Sequence, residues 1–182
     1  NIVVDMQEPI MIWGKPGIGK SQIVKQVAAE FDATVENGNF VDVRLSQYDS
    51  VDLRGVPVPD MNEGLTVWQM PSTLPFVGNP KFDPSARAIF LFLDELNSGQ
   101  QSTLAATFQL LNERGIGEHK LMSNVVMLGA GNRETDRGVT VRMPTPTANR
   151  LTHYELLEDA DSTCIHFQNI GVPAVGIAFL QF

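Results

Sequence analysis

One short segment constrains the fold of this chain more than any other. Gly14, Gly19, Lys20 and Ser21 fill the pattern G-x-x-x-x-G-K-[ST]. The pattern follows a short apolar run and precedes a helical pattern over residues 21–31. Backbone N–H groups of such a loop surround a polyphosphate, and glycine allows the close approach. The flanking elements disfavour a glycine-rich turn that matches by chance, so the sequence predicts a phosphate-binding loop between a strand and a helix.

The loop assigns chemical roles to particular side chains. We expect Lys20 to reach the β- and γ-phosphates of a nucleotide and the Ser21 hydroxyl to hold Mg²⁺. The next helix would direct its N-terminus at the anion and pack through one apolar stripe, formed by Ile23, Val24, Val27, Ala28 and Phe31. The predicted nucleotide-binding residues are Gly14, Lys15, Pro16, Gly17, Ile18, Gly19, Lys20, Ser21 and Gln22.

Composition narrows the class of protein. A length of 182 residues suits one domain, with room for a fragment of a second. The net charge of −8 argues against a general nucleic-acid surface. Cys164 is the sole cysteine, which excludes an intrachain disulfide and fits a cytoplasmic protein. No apolar run is long enough for a membrane span, and the three histidines lack zinc-ligand spacing. Both ends suggest a longer natural protein.

Strand and helix patterns alternate along the chain, which predicts a parallel sheet covered by helices. Residues 46–84 interrupt the alternation with a proline-rich insertion containing a hairpin, which is either functional or a solvated excursion. Ser98 is expected to cap a helix that ends at Gly115. The predicted strands cover residues 10–13, 40–45, 88–93, 124–128 and 151–156, and those of the hairpin residues 56–60 and 65–69.

Two acidic residues end the most apolar strand. Asp94 is placed to hold Mg²⁺ through water, because ligands bind at the carboxyl edge of such sheets. Glu95 follows directly and can orient or deprotonate an attacking water. The alternative, that both acids only solvate a strand end, loses weight beside the loop at Gly14.

Two later residues are weaker candidates. Asn132 ends the next apolar strand, where its uncharged amide can position a water beside Glu95, or it is only a turn asparagine. Arg150 precedes the last strand. A lone arginine there is usually a surface charge, although an arginine supplied to a neighbouring subunit would stabilise transition-state charge.

Together these blocks resemble the AAA+ ATPases, and more narrowly the MoxR-like group. Residues 14–21 are similar to Walker A, and residues 89–95 to Walker B. Gly131-Asn132 resembles sensor 1, and residues 148–151 resemble the segment with the arginine finger. Residues 43–47, 51–55 and 115–121 and the inserted hairpin carry the narrower similarity.

The resemblance implies a P-loop NTPase fold of three layers with hairpin insertions: an AAA+ core over residues 1–156 and the beginning of a truncated helical lid over residues 157–182. It implies an ATPase that binds ATP or ADP with Mg²⁺, catalysed by Glu95, Asn132 and Arg150, with Ser21 and Asp94 as metal ligands. It further implies a homo-oligomeric, usually hexameric ring, with ATP between subunits, and a chaperone, remodelling or assembly role beside a protein with a von Willebrand factor A domain.

The sequence departs from the family pattern at two places. Arg133 follows the sensor asparagine where many MoxR-like proteins have proline, and no Lys or Arg after Arg150 supplies the sensor 2 arginine. Two other functions remain open. A small-molecule P-loop kinase would use the same loop, but it does not need Glu95 or Asn132. A scaffold that binds ATP without hydrolysis is disfavoured by the intact Glu95.

Overall fold

The computed structural model describes residues 8–133, 143–169, 171 and 173. The strands are β1 (Ile10–Trp13), β2 (Phe40–Arg44), β3 (Val56–Asp60), β4 (Leu65–Gln69), β5 (Ile89–Asp94), β6 (Gly115–Ile116), β7 (His119–Lys120), β8 (Val125–Gly131) and β9 (Thr152–Glu155). The helices are α1 (Lys20–Ala29), α2 (Ser50–Arg54), α3 (Gln101–Glu113), α4 (Thr145–Ala148) and α5 (Ala160–Asn169), with a 3₁₀ turn at Leu45–Gln47. Within the described ranges, no helix has both the length and the apolarity to span a bilayer.

Five strands form the central sheet, in the order β2-β5-β8-β1-β9. Every pair in it is parallel. The carboxyl ends of all five strands therefore lie at one edge, and their amino ends at the other. This confirms the predicted α/β fold with a central parallel sheet flanked by helices.

Both faces of the sheet are buried, because helices or loops cover each one. The strand β5 shows this by alternation: Ile89, Leu91 and Leu93 enter one core cluster, and Phe90 and Phe92 enter the other. The first cluster also contains buried residues of α3, and the second contains those of α1. A continuous apolar run is what a strand buried on two faces requires.

The apolar stripe predicted for α1 is narrower than expected. Val24 and Ala28 are buried, but Ile23 and Val27 are 38% and 36% exposed. A helix laid on a sheet buries a limited arc, and these two residues fall at its margin. The prediction of a single buried stripe is therefore wrong for Ile23 and Val27.

The predicted ends of α3 also need correction. Ser98 is not the cap, because α3 begins at Gln101 after Gln100; instead the Ser98 N–H donates to the Glu95 carbonyl at 2.8 Å. At the other end Arg114, with φ 51°, takes the left-handed conformation that was expected of Gly115. Gly115 already belongs to β6, where a Cβ would lie 2.6 Å from the His119 carbonyl oxygen.

Two antiparallel hairpins extend from the sheet domain. The pair β3–β4 confirms the predicted hairpin of the insertion, and the pair β6–β7 forms a second hairpin directly after α3. They touch one another, since the Trp68 N–H donates to Glu118 Oε1 at 3.1 Å. Beyond β9, α5 lies in the region predicted as the start of a lid; part of residues 157–182 falls outside the described residues.

The inserted hairpin depends on a glycine at its base. Gly55 has φ 90° and ψ −170°, and a Cβ there would lie 2.0 Å from the Gln69 carbonyl oxygen. We predict that Gly55→Ala lowers the free energy of unfolding by about 3 kcal/mol or more, from backbone strain and overpacking together. Gly64→Ala is the control: Gly64 has φ 67° with nothing near its missing Cβ, so the loss is about 1 kcal/mol. Urea unfolding measures both, and equal losses would contradict the steric argument.

Candidate nucleotide-binding site

Three loops meet at the carboxyl edge of the sheet. The pairing of Trp13 with Gly131 and of Leu93 with Gly129 aligns the ends of β1, β8 and β5. The loop after β1 is the predicted phosphate-binding loop, β5 ends in Asp94, and Asn132 follows β8. Parallel pairing thus brings together residues that are far apart in sequence.

The loop after β1 takes its shape from glycine. Gly17 and Gly19 have φ 80° and 96°, in the left-handed region that glycine enters without steric cost. Gly14 lies against Leu156, whose carbonyl oxygen would be 3.2 Å from an added Cβ. The helix α1 then begins at Lys20 without a side-chain cap, so its first N–H groups face the loop.

The ammonium group of Lys20 lies at the centre of this loop. The side chain is buried, and Nζ donates to the carbonyl oxygens of Gly14 at 2.8 Å and Lys15 at 3.0 Å. It also donates to Asn132 Oδ1 at 3.0 Å. The structure therefore brings the cation of the loop and the predicted sensor residue into direct contact.

A pair of oxygen ligands lies beside the lysine. Ser21 Oγ donates to Asp94 Oδ2 at 2.8 Å, and the other oxygen, Oδ1, accepts from the Glu95 N–H at 2.9 Å. Hydroxyl and carboxylate oxygens suit Mg²⁺, which retains several waters and takes further ligands from substrate phosphates. Among the described residues no group of three or more His, Cys, Asp or Glu side chains is placed to hold a metal. The hydroxyl and carboxylate pair fits a Mg²⁺ ion that also binds nucleotide phosphates.

Glu95 occupies a constrained position next to this pair. Its backbone has φ 54°, and its carboxylate accepts a hydrogen bond from the Ser46 hydroxyl. Ser46 lies just after β2, at the same edge of the sheet. Sequence reasoning missed Ser46, although a hydroxyl two residues beyond the end of a sheet strand was the available signal.

A second missed residue is Asn97, which is buried and bonds to the backbone of Asn132. It follows Glu95 by two positions, in a loop that no periodicity describes.

The loop before α1 contacts the segment after β9, since Lys15 Nζ pairs with Glu158 at 3.1 Å. Gln22 is exposed on α1.

Arg150 does not join the other site residues. Its guanidinium donates to the Asn112 carbonyl oxygen at 3.2 Å, near the end of α3. Arg114, two residues later, donates to the carbonyl oxygen of Val125, the first residue of β8. This places the end of α3, and Arg150 with it, at the amino edge of the sheet. Strands of four to seven residues separate the two edges, which is roughly 13–23 Å.

The sheet order, the glycine-rich loop and the acidic strand end define a P-loop nucleotide-binding domain. Residues 9–126 match the family described as AAA domain, dynein-related subfamily. The match covers more than half of the chain, and the chain belongs to this family of nucleotide-binding domains.

A solved structure supports the fold. The chain is similar to a protein of Cytophaga hutchinsonii ATCC 33406, described as a candidate ATPase and solved at 2.00 Å resolution, with a TM-score of 0.60 and 16% identity. The match covers 93% of this chain and 48% of that one, so the chain spans about half the length of the protein it resembles. At this identity the likeness concerns the fold alone.

The position of Lys20 leads to a binding prediction. Lys20→Met removes the buried ammonium and is expected to weaken ATP binding by about 100-fold or more, as loss of a charged hydrogen bond donor to phosphate would. Lys25→Met is the matched control, because Lys25 lies on the same helix, carries the same charge and pairs instead with Asp42 at 3.3 Å. Titration with a fluorescent ATP analogue measures both affinities. Equal ATP affinities for the two variants would show that Lys20 does not bind the nucleotide.

Proposed function

We propose that this chain is a Mg²⁺-dependent ATPase subunit of MoxR-like type that works in a ring as a remodelling or assembly factor. The observation that carries the proposal is the meeting of Lys20, the Ser21–Asp94 pair and Glu95 at one edge of the sheet. These groups supply a cation for phosphate, oxygen ligands for Mg²⁺ and a carboxylate for water. Hydrolysis of ATP requires that the phosphates and Mg²⁺ are held and that a water is oriented, and these three groups would meet those requirements.

Each side chain has a proposed part in the reaction. Lys20 binds the β- and γ-phosphates, while Ser21 and Asp94 hold Mg²⁺, Asp94 through water. A Mg²⁺ ion held there would neutralise the charge that develops on the phosphate oxygens. Glu95 orients the attacking water and accepts its proton. Asn132 positions the same water or the γ-phosphate through its side-chain amide.

Arg150 would serve a neighbouring subunit. It lies at the amino edge, roughly 13–23 Å by strand length from the loop of its own chain. A cation at that distance cannot neutralise transition-state charge in its own site. AAA+ domains typically assemble into rings, in which a head-to-tail interface joins two different patches of the domain. The proposed interface brings the amino edge of one subunit to the carboxyl edge of the next.

The narrower assignments come from the resemblance of residues 9–156 to MoxR-like proteins. They comprise a hexamer, a cytoplasmic location, a protein substrate, a partner with a von Willebrand factor A domain and a lid that begins after β9. The oligomeric state of the full-length protein with ATP and Mg²⁺, together with identification of any co-purifying protein, tests them. A monomer with full activity would overturn the proposed ring.

Replacement of Glu95 tests hydrolysis directly. Glu95→Gln keeps the shape of the side chain but removes the base, so turnover should fall by about 10²- to 10⁴-fold while ATP stays bound. The control is Glu113→Gln, since Glu113 lies at the far end of α3 and accepts from Gln109. Phosphate release and nucleotide affinity are measured for both variants. Unchanged turnover in Glu95→Gln would exclude Glu95 as the base, and a wild-type chain that binds ATP without turnover would indicate a scaffold.

Mixed rings test whether Arg150 acts in trans. Arg150→Ala should lower turnover by about 10³-fold or more with little change in binding. A mixture of Arg150→Ala and Glu95→Gln subunits should regain activity, because about one quarter of randomly mixed interfaces contain both intact residues. As control, Arg150→Ala mixed with the double variant Arg150→Ala/Glu95→Gln should regain none. If the first mixture regained no activity, Arg150 would not act on the site of a neighbouring subunit.

A further inference from the structure

Asn97 joins the loop after β5 to the residue that follows β8. The side chain is 4% exposed, and its Nδ2 donates to the Asn132 carbonyl oxygen at 2.6 Å. Its Oδ1 accepts from the Asn132 N–H at 3.3 Å. One amide side chain therefore satisfies both backbone groups of Asn132. An ionised carboxylate has no proton to donate, and a hydroxyl has a single oxygen for both bonds, whereas a primary amide has a separate donor atom and acceptor atom.

The same loop is fixed at a second point. The Leu96 N–H donates to the Ala130 carbonyl oxygen at 2.8 Å, so two successive residues of the loop bond to β8 and to the residue that follows it. Glu95 directly precedes them, and its carbonyl accepts from the Ser98 N–H. Glu95 and Asn132, the two residues proposed to flank the attacking water, therefore lie on two segments that these hydrogen bonds join.

The Asn97 side chain packs closely against Gly131. At Gly131 an added Cβ would lie 2.9 Å from Asn97 Oδ1 and 2.7 Å from Met11 Cε. The amide is therefore packed against a strand that has glycine at the point of contact. Loss of the amide would free the Asn132 backbone, whereas Lys20 would keep its bonds to the carbonyl oxygens of Gly14 and Lys15.

We infer that Asn97 is a positioning residue that sets the place of Asn132 relative to Glu95. The inference rests on the proposed function, because it gives Asn97 an effect on hydrolysis through Asn132. Asn97 itself touches neither phosphate ligands nor Lys20 among the described contacts. Its removal should therefore affect turnover and spare nucleotide binding.

The first experiment separates turnover from binding. Asn97→Ala is expected to lower kcat at saturating ATP and Mg²⁺ by about 10- to 100-fold, as small misplacement of a reacting group does, with Kd for ATP changed by less than about threefold. Asn97→Asp keeps the side-chain volume but sets a carboxylate oxygen against the Asn132 carbonyl, and should show the same split. Wild-type kcat in both variants would overturn the inference.

A buried asparagine elsewhere supplies the control. Asn79 is 3% exposed and also bonds to backbone, with Nδ2 donating to the Leu74 carbonyl oxygen at 2.8 Å and Oδ1 accepting from the Lys81 N–H at 3.1 Å. Asn79→Ala should lower thermal stability to a similar degree and leave kcat unchanged. An equal fall in kcat for Asn79→Ala and Asn97→Ala would make the effect of Asn97 merely structural and overturn the inference.

A double variant tests whether Asn97 acts through Asn132. The turnover of Asn97→Ala/Asn132→Ala should equal that of Asn132→Ala within about twofold. Once the Asn132 side chain is removed, Asn97 has no functional side chain left to position. Losses that multiply would show that Asn97 acts on its own and overturn the inference.

Hydrogen exchange gives a readout that does not need hydrolysis. The backbone N–H of Asn132 should exchange at least about tenfold faster in Asn97→Ala than in Asn79→Ala, since its acceptor, Asn97 Oδ1, is gone. A wild-type chain that binds ATP without turnover would overturn the proposed hydrolysis alone, and the exchange of the Asn132 amide would then decide whether Asn97 holds this residue. Unchanged exchange would overturn the inference in either case.

Discussion

The parallel pairing of β1 with β8, and of β8 with β5, is the constraint on which the site depends. Both β5 and β8 are buried on two faces, so alternation of apolar and polar residues cannot fix their register. The size of the side chains fixes the register instead. A Cβ at Gly129 would lie 2.8 Å from Leu96 Cδ1, and one at Gly131 would lie 2.7 Å from Met11 Cε. A shift by one residue would bring Leu128 or Ala130 to these contacts, and the strand ends would no longer align.

Much of this arrangement follows from the sequence because its signals are local. The glycine pattern before Lys20 specifies a phosphate-binding loop, and the apolar run before Asp94 specifies a buried strand with an acidic end. The rule that carboxyl ends of parallel strands share an edge then brings Asp94, Asn132 and the loop together. The contacts of Lys20 with Asn132 and of Ser21 with Asp94 agree with that expectation. The catalytic roles remain proposals.

What the sequence did not predict depends on tertiary contacts. Ile23 and Val27 have the spacing of a buried stripe, but the width of the covered arc is set by the sheet below α1. Ser98 has a good capping side chain, yet the turn after Glu95 uses its N–H first. Ser46 and Asn97 lie in irregular segments, and their partners are 49 and 35 residues away. The position of Ser46 after β2 could indicate the edge of the sheet at which it lies, but no pattern within one segment contains information about a partner at that distance.

Backbone strain gives independent support for the importance of Glu95. Three described non-glycine residues have positive φ: Asp32, Glu95 and Arg114. Asp32 and Arg114 follow helices, where the left-handed conformation is a common way to end a helix. Glu95 follows a strand and has no such explanation. Its conformation costs on the order of 1–3 kcal/mol, and such strain persists where the surroundings enforce it. Here the hydrogen bonds from the N–H groups of Glu95, Leu96 and Ser98 do so, and they direct the carboxylate to the edge where the phosphate-binding loop lies.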